Sequence, residues 1–96
     1  MTRQELVRAK REDILRLAKL HGARNVRLFG SAARGQAGED SDLDVLVEAG
    51  PHRTPFFPGG LVADLEDLLG CKVDVVTEAA LHPYIRAHVL REAVPL

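Results

Sequence analysis

Cysteine is nearly missing from this chain: Cys71 is the only one in 96 residues. No internal disulfide can form, which suits the reducing cytoplasm and leaves stability to an apolar core. Long hydrophobic runs are missing too. None approaches the roughly 20 residues needed to span a bilayer, and the charged start does not resemble a signal peptide, so no membrane association is expected. An excess of positive charge is also lacking. A formal net charge of −1 excludes a broadly basic surface, so direct nucleic-acid binding is not expected. The four histidines (His21, His52, His82, His88) show no zinc-like spacing with Cys71. What remains is a 46% hydrophobic chain, long enough for one small domain over residues 1–96 and too short for two cores.

The elements can be read from the pattern. Thr2-Arg-Gln-Glu5 has the form of a capping box, and Leu6, Val7, Ile14, Leu17 and Ala18 make one apolar stripe that Gly22 stops. The spacing predicts a helix over residues 3–21. Strands are expected at Asn25–Phe29, Leu43–Glu48 and Lys72–Val76. Between the last two, residues 51–60 form a loop in the main, in which Thr54-Pro55 can start a helix early as N-cap and first residue; Phe57, Leu61, Leu65, Leu68 and Leu69 then fall at helical spacing, and Gly70 ends that helix. Pro83 opens a last helix that runs out before Pro95. This order predicts a two-layer α+β fold. Its three-stranded mixed sheet has the first two strands antiparallel, a parallel crossover to the third, and helices on one face. The other face is left for chemistry.

The chemistry concentrates in residues 30–44. A Gly-Ser step, Gly30-Ser31, leaves the first strand, and Asp42 and Asp44 stand at the head of the second. Glycine lets a phosphate approach the backbone, and N–H groups of a turn through Ala32-Ala33-Arg34 can meet its oxygens. Arg34 can either contact phosphate or brace the loop by pairing with Glu39 or Asp40. Residues two apart on a strand share a face, roughly 6.5–7 Å apart at Cα, so Asp42 and Asp44 can share a cation, with Leu43, Val45 and Val47 turned to the core. Hard oxygen ligands favour Mg²⁺ or Mn²⁺. The plainer alternative is the polar side of a half-solvated strand. Asp74, between Val73 and Val75, is either a third member on the same face or an ordinary alternating residue. Phe56 and Phe57 either meet a base or partner, or anchor the helix stripe (Phe57) and cover the core rim (Phe56). Tyr84 and His88, one turn apart, face either a partner or solvent.

Gly30-Ser31-x-Ala33-Arg34-Gly35 followed by Asp40-Ser41-Asp42-x-Asp44 resembles the signature of the DNA polymerase β nucleotidyltransferase superfamily, and within it the minimal, MntA-type nucleotidyltransferases. The signature spans about fifteen residues, and the Val73-Asp74-Val75-Val76 run matches the family's later strand. The resemblance implies that Gly30, Ser31 and Arg34 bind the triphosphate of ATP. It implies that Asp42, Asp44 and Asp74 hold two Mg²⁺ and carry catalysis. The implied reaction moves AMP from ATP to a hydroxyl and releases pyrophosphate. In this family the companion is a HEPN-domain RNase toxin, modified on a tyrosine, and the nucleotidyltransferase is its antitoxin. Two further readings stand beside this one: an antitoxin that neutralises its HEPN partner by binding alone, and a homodimer that modifies a small molecule such as an antibiotic.

Overall fold

The computed structural model describes residues 1–36, 38 and 40–96. Its elements are α1 (Arg3–Ala9), α2 (Arg11–Leu20), β1 (Ala23–Phe29), β2 (Leu43–Ala49), α3 (Gly59–Leu69), β3 (Val73–Thr77), α4 (Pro83–Glu92) and β4 (Val94–Pro95), with a 3-10 turn at Glu78–Ala80.

The expected first helix is broken at Lys10, whose ψ of 14° belongs to neither helix interior. Residues 10 and 11, due on the stripe three and four places after Val7, are Lys and Arg, so no core contact holds the turn straight. Val7 and Ile14 are nonetheless both buried, one on each side of the break. The capping box is present in both directions, Thr2 Oγ1 accepting from Glu5 N–H and Glu5 Oε1 from Thr2 N–H, each at 3.1 Å.

The sheet has order β3-β2-β1-β4, four strands where three were expected. β1 and β2 are antiparallel and β2 and β3 parallel, as the pattern implies. β4 escaped the sequence reading because it is two residues long and one of them is Pro95; it pairs antiparallel with β1 at the sheet edge, where proline is tolerated. β1 also starts earlier than expected and carries a bulge between Arg24 and Arg27, where Asn25 has a φ of 52°.

Leu43, Val45 and Val47 turn toward α1, α2 and α3 and are all but fully buried, with Val26, Leu28, Val73 and Val75 on the same side. The opposite side is not left bare. Leu46, pointing that way, is 0% exposed and forms a second small cluster with Leu81 and Val89. α4 therefore covers part of the second face, because a strand as apolar as β2 needs cover on both sides. α3 begins at Gly59, after the loop segment; the early start open to Thr54-Pro55 is not taken, and the Thr54 side chain meets His21 Nδ1 (2.8 Å) instead. It ends as expected at Gly70, left-handed at φ 67°.

Candidate nucleotidyl-transfer site

Asp44 sits second in β2, paired with Phe29 of β1 on one side and with Asp74 of β3 on the other. Cross-strand partners share a face, so Asp44 and Asp74 stand side by side on the face opposite the main core. The sheet register thus makes a neighbour of the third carboxylate. Asp42 is exposed and precedes β2 rather than belonging to it, so its position is not set by the sheet ladder. Its charge still reaches Asp44. Burial pushes the Asp44 carboxyl above the usual aspartate range; Asp74 and Asp42 push it the same way, and Arg34 pulls it back. A half-buried carboxylate crowded by two others gains from a cation.

Gly30 ends β1 directly against this carboxylate. Its φ is +68°, and a Cβ there would overlap Asp44 Oδ2 and lie 3.3 Å from its Cγ. Glycine is needed both for the backbone angle and for the space. Residues 31–35 then form a turn in which Gly30 O accepts from Arg34 N–H (3.2 Å) and Ser31 O from Gln36 N–H (2.9 Å). The N–H groups of Ser31, Ala32 and Ala33 donate no hydrogen bond within this turn and form its open end.

Arg34 is not free. Its Nη1 donates to Glu92 Oε1 of α4 (2.8 Å) and its Nε to Gln36 Oε1 (3.0 Å), while Glu92 Oε2 lies 3.1 Å from His88 Nε2, which donates to it whenever that nitrogen carries a hydrogen. Glu39, one of the partners proposed from the sequence, lies outside the described residues. Nothing in the spacing points to Glu92, which is 58 positions away and meets Arg34 only because α4 folds back over the second face.

The other candidates divide. Phe57 packs against the main core, as the helix stripe requires. Phe56 does not cover the rim: it is 92% exposed, at a positive φ of 62°. Tyr84 and His88 are both exposed, and Tyr84 stacks on His82 at 5.1 Å.

The donor set of Asp42, Asp44 and Asp74 is all hard oxygen, and its crowding around Asp44 fits a divalent cation of the Mg²⁺ type. Among the described residues no three or more His, Cys, Asp or Glu side chains are gathered around a single point. Mg²⁺ commonly takes only one or two carboxylates and leaves the rest of its shell to water and substrate phosphate.

The Gly30 turn thus abuts a carboxylate row at one end of a small mixed sheet. The model of the nucleotidyltransferase domain matches residues 8–96. The chain belongs to the nucleotidyltransferase family. It is 52% identical to a solved protein provisionally described as a minimal nucleotidyltransferase, with a TM-score of 0.87 over 100% of this chain and 97% of that one. It is 44% identical over 80 residues to the protein adenylyltransferase MntA of Thermococcus cleftensis, covering 81% of this chain and 79% of that protein. The same fold occurs, at 22% identity and a TM-score of 0.74, in a toxin-antitoxin structure with AMP-PNP, over 88% of this chain and 69% of that one. This nucleotidyltransferase has no helix, among the described residues, long and apolar enough to cross a membrane.

Proposed function

We propose that this single domain transfers AMP from ATP to a hydroxyl of a partner protein, a tyrosine of a HEPN-family RNase toxin, and so acts as the antitoxin of a pair in the cytoplasm. The observation that carries the chemistry is the contact of Gly30 with the Asp44 carboxylate, which brings a phosphate cradle and a carboxylate row to one point. A protein acceptor is supported by a relative at 44% identity that is named a protein adenylyltransferase, and a toxin partner by the toxin-antitoxin structure that shares the fold.

In this reading the backbone of Gly30 and Ser31 holds the triphosphate, with Arg34 beside it. Asp42 and Asp44 hold two Mg²⁺ and Asp74 completes the catalytic site. When bound, Mg²⁺ supplies charge neutralisation along the phosphates and makes the acceptor hydroxyl more acidic. Asp74, the carboxylate aligned with Asp44, takes up the hydroxyl proton. The acceptor oxygen forms its bond to the α-phosphorus as the bond to pyrophosphate breaks on the opposite side. Glu92, by accepting from Nη1 of Arg34, ties that guanidinium to α4.

The test is intact-mass analysis of the helical partner after incubation with this chain, ATP and Mg²⁺. A gain of one or more AMP units, lost in Asp42→Asn and Asp44→Asn, is expected. Neutralisation of the toxin without any mass gain would leave the antitoxin role and remove the enzymatic one.

A further inference from the structure

We infer that Arg3 and Gln4, consecutive residues in the first turn of α1, are positioning residues that clamp the two halves of the site together. The inference rests on the nucleotidyl-transfer reading and extends it to a part of the chain that precedes the family match at residues 8–96.

Gln4 Nε2 donates to Ala32 O at 2.7 Å, inside the Gly30–Gly35 turn. Arg3 Nε donates to Ser41 O at 2.7 Å, the carbonyl of the peptide that leads into Asp42. The two acceptors lie on opposite sides of the linker between cradle and carboxylates. Adjacent side chains of one helical turn therefore set the distance between those parts. Asp42 most needs such a restraint, because it precedes β2 and the first bond tying this segment to the sheet is Leu43 N–H to Lys72 O (3.0 Å). Among the described residues, the Ala32 carbonyl otherwise accepts from the backbone only a 3.3 Å bond from Gly35 N–H. The turn that carries the clamp is itself fixed. The capping box holds its start, and Val7, buried in the main core, holds its far end. Charge adds to the arginine bond, since a guanidinium donates more strongly than a neutral group.

The two grips fall on different parts of the reaction, which gives them separable signatures. Gln4 supports the phosphate cradle, so Gln4→Ala is expected to raise KM for ATP about 3- to 10-fold with kcat nearly unchanged, the effect of one lost hydrogen bond. Arg3 supports Asp42, so Arg3→Ala is expected to lower kcat by about the same factor with KM nearly unchanged. Gln4→Glu keeps the size but not the donor and should behave like Gln4→Ala; Arg3→Lys keeps a donor and should recover most of the loss.

In parallel, amide hydrogen exchange on the full chain without nucleotide is expected to speed up at the hydrogen-bonded amides of Arg34, Gly35 and Gln36 in the Gln4 variants and at that of Leu43 in the Arg3 variants, with the cooperative melting transition retained. Unchanged exchange at both segments overturns the clamp. So does a loss of activity in which kcat falls only in proportion to the folded fraction while KM stays at its wild-type value in every variant. A wild-type chain that transfers no AMP refutes the proposed function, whereas the exchange measurement still decides the clamp.

Discussion

Gly30 and Asp44 occupy touching space at the meeting of β1 and β2: the glycine leaves room for the carboxylate, and a methyl group in its place would displace Oδ2. Gly30→Ala should therefore act twice. The positive φ of 68° costs the alanine about 1–2 kcal/mol, and the displaced Asp44 loses its alignment with Asp74. The expected outcome is a melting temperature lower by several degrees and a loss of AMP transfer of about 100-fold or more, as for a misplacement of about 1 Å. Thermal melts alongside steady-state transfer assays check it. Full activity in a stably folded Gly30→Ala protein would show that the contact does not matter.

Asp44 pays in stability for its place in the carboxylate row. Its pKa is raised from the ordinary 3.8, so the folded protein binds this proton more tightly than the unfolded chain does. Its contribution is most favourable below that ordinary value and is lost as pH rises through the raised one. In chelator at pH 7, Asp44→Asn should then melt a few degrees above wild type, with the gap closing as pH falls toward 4. Mg²⁺ should stabilise wild type and not the variant. A variant that melts lower than wild type in chelator at pH 7 contradicts this.

How much of this was legible beforehand depended on whether the information is local. The Gly30-Ser31 step, the Asp42/Asp44 pair and the Val73–Val76 run announce themselves through spacing, and Asp44 stands beside Asp74 in the register, one of the two placements the pattern allowed. What sequence could not give are contacts set by how separate elements return to one another. Glu92 reaches Arg34 only because α4 lies on the second face, and α4 lies there to cover Leu46. The grips of Gln4 on Ala32 O and of Arg3 on Ser41 O end on backbone carbonyls, which carry no residue-type signal. The break at Lys10 was visible as a gap in the apolar stripe, but a strong capping box masked it.

Arg34 is held by Glu92 and Gln36 and lies near enough to Asp44 to pull its pKa down. Arg34→Ala removes both the proposed phosphate partner and that pull. We expect KM for ATP to rise about 10-fold, in line with a lost charge-assisted hydrogen bond. The acid limb of the kcat/KM profile should also move to higher pH, because Asp44 then holds its proton longer. Arg34→Lys should keep the limb near its wild-type position. A pH–rate series on the three proteins checks this, and an acid limb that moves to lower pH in Arg34→Ala would refute it.

At the opposite end of β1 from Gly30, His21 is buried between two partners: Nε2 lies 2.6 Å from Asp64 Oδ2 and Nδ1 2.8 Å from Thr54 Oγ1. A carboxylate only accepts, so Nε2 donates to it, which leaves Nδ1 of a neutral ring to accept from the hydroxyl. Hydroxyl, imidazole and carboxylate in a row look like a nucleophilic relay, but backbone bonds give the row a different task. His21 O accepts from Thr54 N–H (3.2 Å) and Gly22 O from Gly50 N–H (2.7 Å), so the row and its backbone together pin the loop after β2 to the end of α2. Gly60 packs so closely that a Cβ there would lie 3.0 Å from His21 Cε1. His21→Ala should cost about 1–3 kcal/mol in chemical denaturation, because Thr54 and Asp64 lose their shared partner. The site lies a full strand away, roughly 20 Å by strand rise, so kcat/KM for AMP transfer should change by less than about 2-fold. Gly60→Ala should destabilise in the same direction by pushing on the ring. A large fall in kcat/KM with unchanged stability would instead make the row part of the catalytic apparatus.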